Sequence, residues 1–267
     1  MFIFFHFFFY FILQLKMEVL SNKIDRKQLK TGDHIYSWRQ AYVYAHHGIY
    51  IGDEMVIHFT IGSGQQATGI PAILDRFFTS SAPSFDTKLP CQRCREAAET
   101  RNHGVFSSCL DCFLSGGQLY LFQYGVSKLQ FLAQARGGTC TLASSDPTEE
   151  VLPRALYLLE KGFGCYHISK NNCEDFAVYC KTGLFATTKG CSGQAASYLA
   201  ATSTVASSSF RFVNSSLFGK ALVGCGTYCI KRLVSDIGFR YEVIKDVTKV
   251  PVERIPELTM EASRLEF

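Results

Sequence analysis

Apolar and polar positions alternate with a period of two in three neighbouring stretches of the chain, the sign of half-buried β-strands. The first, His34-Ile35-Tyr36-Ser37-Trp38, follows the turn Thr31-Gly32-Asp33; the second is YVYAHHGIYI at 42–51; the third is MVIHFT at 55–60, behind the turn Gly52-Asp53-Glu54. In the second stretch Val43, Ala45, Ile49 and Ile51 share the core face and His47 points with them, while Tyr42, Tyr44, His46, Gly48 and Tyr50 share the other. In the third, Met55, Ile57 and Phe59 are the apolar face, with Val56, His58 and Thr60 opposite. A hairpin centred on Gly52 sets His46 directly across from His58, about 5 Å between Cβ atoms, and one centred on Asp53 makes them diagonal neighbours at about 7–8 Å. An odd register separates them and also mixes the apolar faces, so the pattern favours adjacent imidazoles.

Downstream the period lengthens. Val151, Ala155, Leu158 and Leu159 predict a helix over 147–161, ended by Gly162-Phe163-Gly164. Cys173, Phe176, Ala177 and Cys180 fall on one inward face of a second helix over 173–182, with Asn172 as its cap and Gly183 as its stop. A strand is expected at 118–124. Residues 61–117, rich in Gly, Ser, Thr and Pro, read as an insertion, and the small, polar run 192–209 reads as a linker. The expected class is α+β: an extension at 1–16, a domain over 17–190, then a linker and C-terminal helical segment over 191–267.

The two ends carry their own readings. Residues 1–16 (MFIFFHFFFYFILQLK) are almost all apolar, yet fall short of the roughly 20 residues a spanning helix needs, and no small-residue cleavage site follows. Either translation begins at Met17, or the run is a short membrane-associating anchor. The segment SLFGKALVGCGTYCIKRLVSDIGF near the C-terminus is interrupted by Lys220 and Lys231-Arg232. It reads equally as a helix packed on the domain or as one lying on a membrane with Cys225 and Cys229 as lipidation sites.

With 47% hydrophobic and 19% charged residues among 267, the chain has ample apolar surface for a folded core. A net charge of +4 gives no reason to expect nucleic acid as partner and permits only weak attraction to an anionic membrane. The 11 cysteines are odd in number and scattered, and without a secretory signal they point to a reducing, cytoplasmic setting. Four of them form Cys91-x-x-Cys94 and Cys109-x-x-Cys112, close to the spacing of a four-thiolate zinc site, with reduced thiols or disulfides as the other readings. Such an ion would be structural, since the polar stretch between the knuckles has no core of its own and the remaining chemistry lies far away in sequence. That chemistry centres on Cys173, in the first turn of its helix, where the macrodipole and free N–H groups favour thiolate while Glu174 and Asp175 oppose it.

His46-His47-Gly48-Ile49-Tyr50-Ile51-Gly52, His58 twelve positions after His46, and Asn172-Cys173-Glu174 together resemble the LRAT (lecithin:retinol acyltransferase) domain family, over roughly residues 30–185. The resemblance implies a permuted papain-like fold of the NlpC/P60 superfamily, an antiparallel sheet packed against helices. It implies a thiol-dependent acyltransferase or phospholipase that takes an acyl group from a phospholipid onto a cysteine, with peripheral membrane contact and no catalytic cofactor. Carried over by motif, His46 is the base, His58 the third residue and Cys173 the nucleophile, and Tyr44 matches a tyrosine some members use near the oxyanion. The knuckle-containing insertion and Asp175 depart from the animal members; the insertion resembles plant LRAT-domain proteins. A cysteine peptidase or amidase of the same fold, and a non-catalytic zinc-containing interaction protein, remain as alternatives.

Overall fold

A computed structural model describes residues 22–39, 44–61, 91–99, 104–134, 136–168, 171–186, 193–206 and 217–264. The apolar run at 1–16, and 62–90 of the expected insertion, lie outside the described residues.

The three alternating stretches form β1 (His34–Arg39), β2 (Tyr44–Gly52) and β3 (Met55–Phe59), joined by β4 (Val105–Cys109) and β5 (Tyr120–Leu121) in an antiparallel sheet of order β4-β3-β2-β1-β5. Between β2 and β3 the chain turns through Asp53 and Glu54, both at positive φ (49° and 56°), the signature of a tight two-residue hairpin. That turn pairs Gly52 with Met55, a register that alone would put His46 and His58 on opposite faces. A one-residue bulge at Ile51 shifts the ladder so that Tyr50 pairs with Val56 and Gly48 with His58. His46 and His58 thereby become diagonal neighbours on one face, the second of the two expected geometries.

Each face of the sheet is covered by different helices. Against Ile49, Ile57, Phe59 and Val105 pack α4 (Thr148–Lys161), through Val151, Ala155 and Leu158, and α5 (Cys173–Thr182), through Phe176, Ala177 and Cys180. Against Ile35 and Val56, on the other face, packs α2 (Leu110–Leu114), through Leu110, Phe113 and Leu114. The mixed helix and antiparallel-sheet architecture is α+β, as expected.

Local chemistry explains the helix ends that position the site. Asn172 caps α5 by accepting from the Glu174 and Asp175 amides, Asp175 returns a bond to the Asn172 amide, and Gly183 ends the helix at φ 65°. Elsewhere the sequence pattern is overridden. Residues 91–117, expected as part of an insertion, supply β4 at the edge of the central sheet, α2 on its second face and the short α1 (Gln92–Glu99). The stretch expected as a linker at 192–209 holds α6 (Gly193–Ala206), because its small side chains let it pack closely: Ala196, Ser197, Ala200 and Thr204 are buried, and α7 (Leu217–Ser235) lies against it. The strand expected at 118–124 shrinks to β5, its neighbours making only isolated bridges, and α3 (Lys128–Ala133) follows.

The C-terminal part folds back onto the domain. β6 (Leu184–Ala186) pairs with β7 (Val247–Lys249), and Ile255, the first residue of α8 (Ile255–Arg264), is buried in the main core. Residues 217–239 pack on the domain through Arg232, which donates to the Gln134 and Arg136 carbonyls and stacks on Phe131. Leu222, Val223, Ile230 and Val234 of α7 stay exposed, as does Cys225. No described helix is long and apolar enough to cross a membrane.

Candidate active site and cysteine cluster

The bulged hairpin brings His46 Nε2 to 2.9 Å from His58 Nδ1, with the rings edge to face at 4.9 Å. His58 Nε2 is in turn 2.9 Å from Ser108 Oγ on β4. Of the two tautomer sets that fit these distances, one has Nε2–H of His58 donating to Ser108 and Nε2–H of His46 donating to His58 Nδ1. His46 Nδ1 is then a bare lone pair, and it is a buried atom with no hydrogen-bond partner. Phe113 of α2 covers both rings at 5.2 and 5.5 Å. Arg39 closes the same face by bonding Ser37 and the Phe113 and Leu114 carbonyls.

Burial dominates the electrostatics here, because the charged form of an imidazole or thiol loses its hydration. It drives His58 down to about 3 and holds His46 well below its ordinary value, with His58 and Arg39 adding repulsion to the His46 cation. Both imidazoles are therefore neutral at physiological pH.

Cys173 opens α5 and lies against the backbone of β2, its thiol 3.8 Å from the Ala45 carbonyl. Tyr44 Oη stands 2.8 Å from the sulfur and 2.9 Å from Tyr166 Oη, so a pair of phenols surrounds the thiol. Burial pushes the Cys173 thiol up to about 11, against the bond from Tyr44 and that from the His47 amide. The first-turn position alone favours thiolate, but desolvation outweighs it.

The four residues expected to act together thus fall into two pairs, His46 with His58 and Tyr44 with Cys173. The sulfur meets Tyr44, while His46 Nδ1, like His47 Nε2 on the opposite face of β2, is buried without a hydrogen-bond partner. His47 projects from the other face of β2, as alternation requires, and shares a second buried chain: His47 Nδ1 is 2.9 Å from His34 Nε2, and His34 Nδ1 is 2.7 Å from Tyr124 Oη. Burial keeps His47 down at about 3 and His34 well below its ordinary value.

Residues that sequence reasoning missed complete the surroundings. Ser108 and Phe113 sit beside cysteines of the second knuckle, within what reads as an insertion, and nothing in the local pattern marks them. Arg39 and Tyr166 reach the site only through the way their segments fold. Gln194, at the start of α6, accepts from the Ala45 amide through Oε1 and donates its own amide to the Glu174 carboxylate, tying that helix to the backbone beside the thiol. Glu174 is buried next to Cys173 and pushed up to about 8 by desolvation, opposed by the Gln194 amide. A cavity of about 380 Å³ lies away from the thiol, lined by Asp33, His34, Tyr124 and Lys181 among others.

The third group singled out in the sequence also assembles. Cys91, Cys94, Cys109 and Cys112 bring their sulfur atoms within 4.8 Å of one another.

Comparison with known proteins identifies the family of the chain. Protein LEAD-SENSITIVE 1 of Arabidopsis thaliana is 52% identical over 233 residues, covering 86% of this chain and 88% of that protein. No solved structure matches the chain. The family described as lecithin retinol acyltransferase matches residues 27–186, a span that runs from the turn before β1 through β6 and includes His46, His58 and Cys173. With the family matching more than half its length, the chain belongs to the lecithin retinol acyltransferase family.

Proposed function

We propose that the protein is a thiol-dependent acyltransferase or phospholipase that takes acyl chains from phospholipids through a thioester on Cys173. The observation that carries this reading is the open His46 Nδ1, on a dyad whose other links are all made, on the strand against which the first turn of α5 lays the thiol. The histidine strands precede the cysteine helix in the chain, the reverse of the papain order, which supports a permuted papain-like arrangement.

In this reading the resting pair is neutral thiol and neutral imidazole, since burial raises one and lowers the other. As the Cys173 sulfur attacks the ester carbonyl carbon, its proton passes to His46 Nδ1, and His58 stabilises the resulting imidazolium through Nδ1. Tyr44 donates to the developing oxyanion. The carbon–oxygen bond to glycerol breaks, the leaving oxygen takes the proton from His46, and lysophospholipid departs. Water, an alcohol or an amine then attacks the thioester with His46 as base, releasing the free thiol. The exposed apolar residues of α7 supply a peripheral contact with the lipid surface.

The test is intact mass of the full chain after incubation with mixed phospholipids. An acyl adduct that maps to Cys173, and disappears in Cys173→Ala, is expected. An adduct retained in Cys173→Ala, or adducts formed from peptide substrates and never from phospholipid, would overturn the reading.

A further inference from the structure

The cysteine knuckles come from separate pieces of the fold: Cys91 and Cys94 at the start of α1, Cys109 at the end of β4, Cys112 in α2. Their geometry discriminates between the ways four sulfurs can sit together. A disulfide needs sulfurs about 2.05 Å apart. Four thiolates around tetrahedral zinc at about 2.3 Å stand about 3.8 Å from one another. Cys91 and Cys109 sulfurs are 3.9 Å apart, and all four lie within 4.8 Å.

Two further features point the same way. The amides are crossed between the knuckles: Cys109 N–H donates to Cys94 Sγ at 3.2 Å, and Cys91 N–H to Cys112 Sγ at 3.3 Å. Backbone donors of this kind stabilise thiolate ligands and fix their orientation. In addition, among the side chains described at 91–96 Cys94 alone is buried, its neighbours all being exposed. Over these described residues the helix meets the sheet edge through Cys94 alone, without apolar packing to hold it.

We propose that Cys91, Cys94, Cys109 and Cys112 bind one structural zinc ion, which clamps the β4 edge and α2 so that Ser108 and Phe113 hold the His46–His58 pair. The second half of this inference rests on the reading of that pair as catalytic; the first does not. Ser108 directly precedes Cys109, and Phe113 directly follows Cys112. The Ser108 hydroxyl is the partner of His58 Nε2, and the Phe113 ring covers both imidazoles while its carbonyl anchors Arg39. Two ligands of the ion are thus each one residue from a group that orients the dyad, although they lie more than sixty positions from Cys173. The ion itself touches no reacting atom, and Ser108 and Phe113 act as positioning residues.

The experiment uses the full chain purified under reductant without chelator. Metal analysis is expected to find about one zinc per chain in the wild type and in Cys165→Ser, an exposed cysteine outside the cluster, and to find it lost in Cys94→Ser. Cobalt(II) exchanged into the wild type should give the intense visible absorption of a tetrahedral four-thiolate ion, weakened in Cys112→Ser. Absence of metal with no cobalt spectrum, or a mass showing two disulfides among the four cysteines, would overturn the site. For the clamp, long-range proton–nitrogen NMR reads the imidazole tautomers without reference to activity. Metal removal that leaves far-ultraviolet circular dichroism unchanged should shift the His46 and His58 signals and leave those of His34 and His47 in place. Unchanged His58 signals in the metal-free protein would refute the positioning role even if zinc is found.

Discussion

Acid should unfold this protein over an unusually narrow range of pH, and four buried histidines set the size of the effect. His34, His46, His47 and His58 are all almost fully buried, and burial lowers every one of them, to about 3 for His47 and His58. The sign follows from linkage: a histidine depressed in the folded state contributes stability that is fully present above its unfolded value near 6.5, and that is lost as pH falls below it, because only the unfolded chain takes up the proton. Between pH 7 and 5 a histidine held near 3, as His47 and His58 are, removes on the order of 2 kcal/mol at about 1.36 kcal/mol per unit, and His34 and His46 act in the same sense. Glu174 acts in the opposite sense, since its folded value of about 8 means the native state binds a proton that the unfolded chain lacks. It offsets part of that loss over the same interval, leaving a net loss of several kcal/mol, a large share of the stability of many domains. Urea unfolding of the full chain at closely spaced pH values measures this as a slope of more than one proton near pH 5, to which any thiols released from a metal add. In His58→Gln the slope should fall by about one proton; protons taken up by cysteine thiols on loss of a metal are common to both proteins and cancel in the difference. A wild-type slope of one proton or less, or an unchanged slope in His58→Gln, would show that these imidazoles are hydrated and chargeable, contrary to the packing described.

Other substitutions test particular contacts. His46→Gln should lower the rate of Cys173 acylation by about 10²- to 10⁴-fold, whereas His47→Gln, on the opposite face, should leave most of the rate, both costing stability because each imidazole is buried and hydrogen-bonded; equal rate losses would place the wrong histidine beside the thiol. Gly48→Ala should destabilise by about 1–3 kcal/mol and also impair acylation, because a Cβ there would meet Val56 Cγ1 at 2.7 Å and the Ile57 carbonyl and Phe113 ring at 3.0 Å; a variant of full stability in thermal denaturation would contradict that register. Tyr44→Phe removes the hydroxyl 2.8 Å from the sulfur, and acylation should slow by roughly 10-fold or more if that group serves the oxyanion; an unchanged kcat would assign it to packing alone.

By itself the sequence determined what local chemistry controls. Alternation marked β1, β2 and β3, apolar spacing marked α4 and α5, and Asn172 and Gly183 marked the ends of α5, because strand period, helix period and caps are each written in a few adjacent residues. The pairing of His46 with His58 was legible for the same reason, although it depended on an even register. What made the register even is the bulge at Ile51, and the residues YIGDEM at 50–55 fit an odd register as readily as an even one. The convergence of Cys91, Cys94, Cys109 and Cys112 followed from spacing, since two knuckles of thiols are specific in a way that single cysteines are not.

Only the tertiary structure decided the rest. Residues 105–114 read as part of the insertion at 61–117 because that stretch is rich in Gly, Ser, Thr and Pro, and their strand pairing with β3 has no local trace. The small-residue run of α6 looked like a linker because its helix is stabilised by close approach to α7, an energy that exists only when both are present. The same holds for Ser108, Phe113, Arg39 and Gln194, which surround the dyad and the thiol from three separate parts of the chain. Even the ionisation of Cys173 was settled this way: its place at a helix start argues for thiolate, and the burial that holds it protonated belongs to the sheet, the phenols and the helices packed around it.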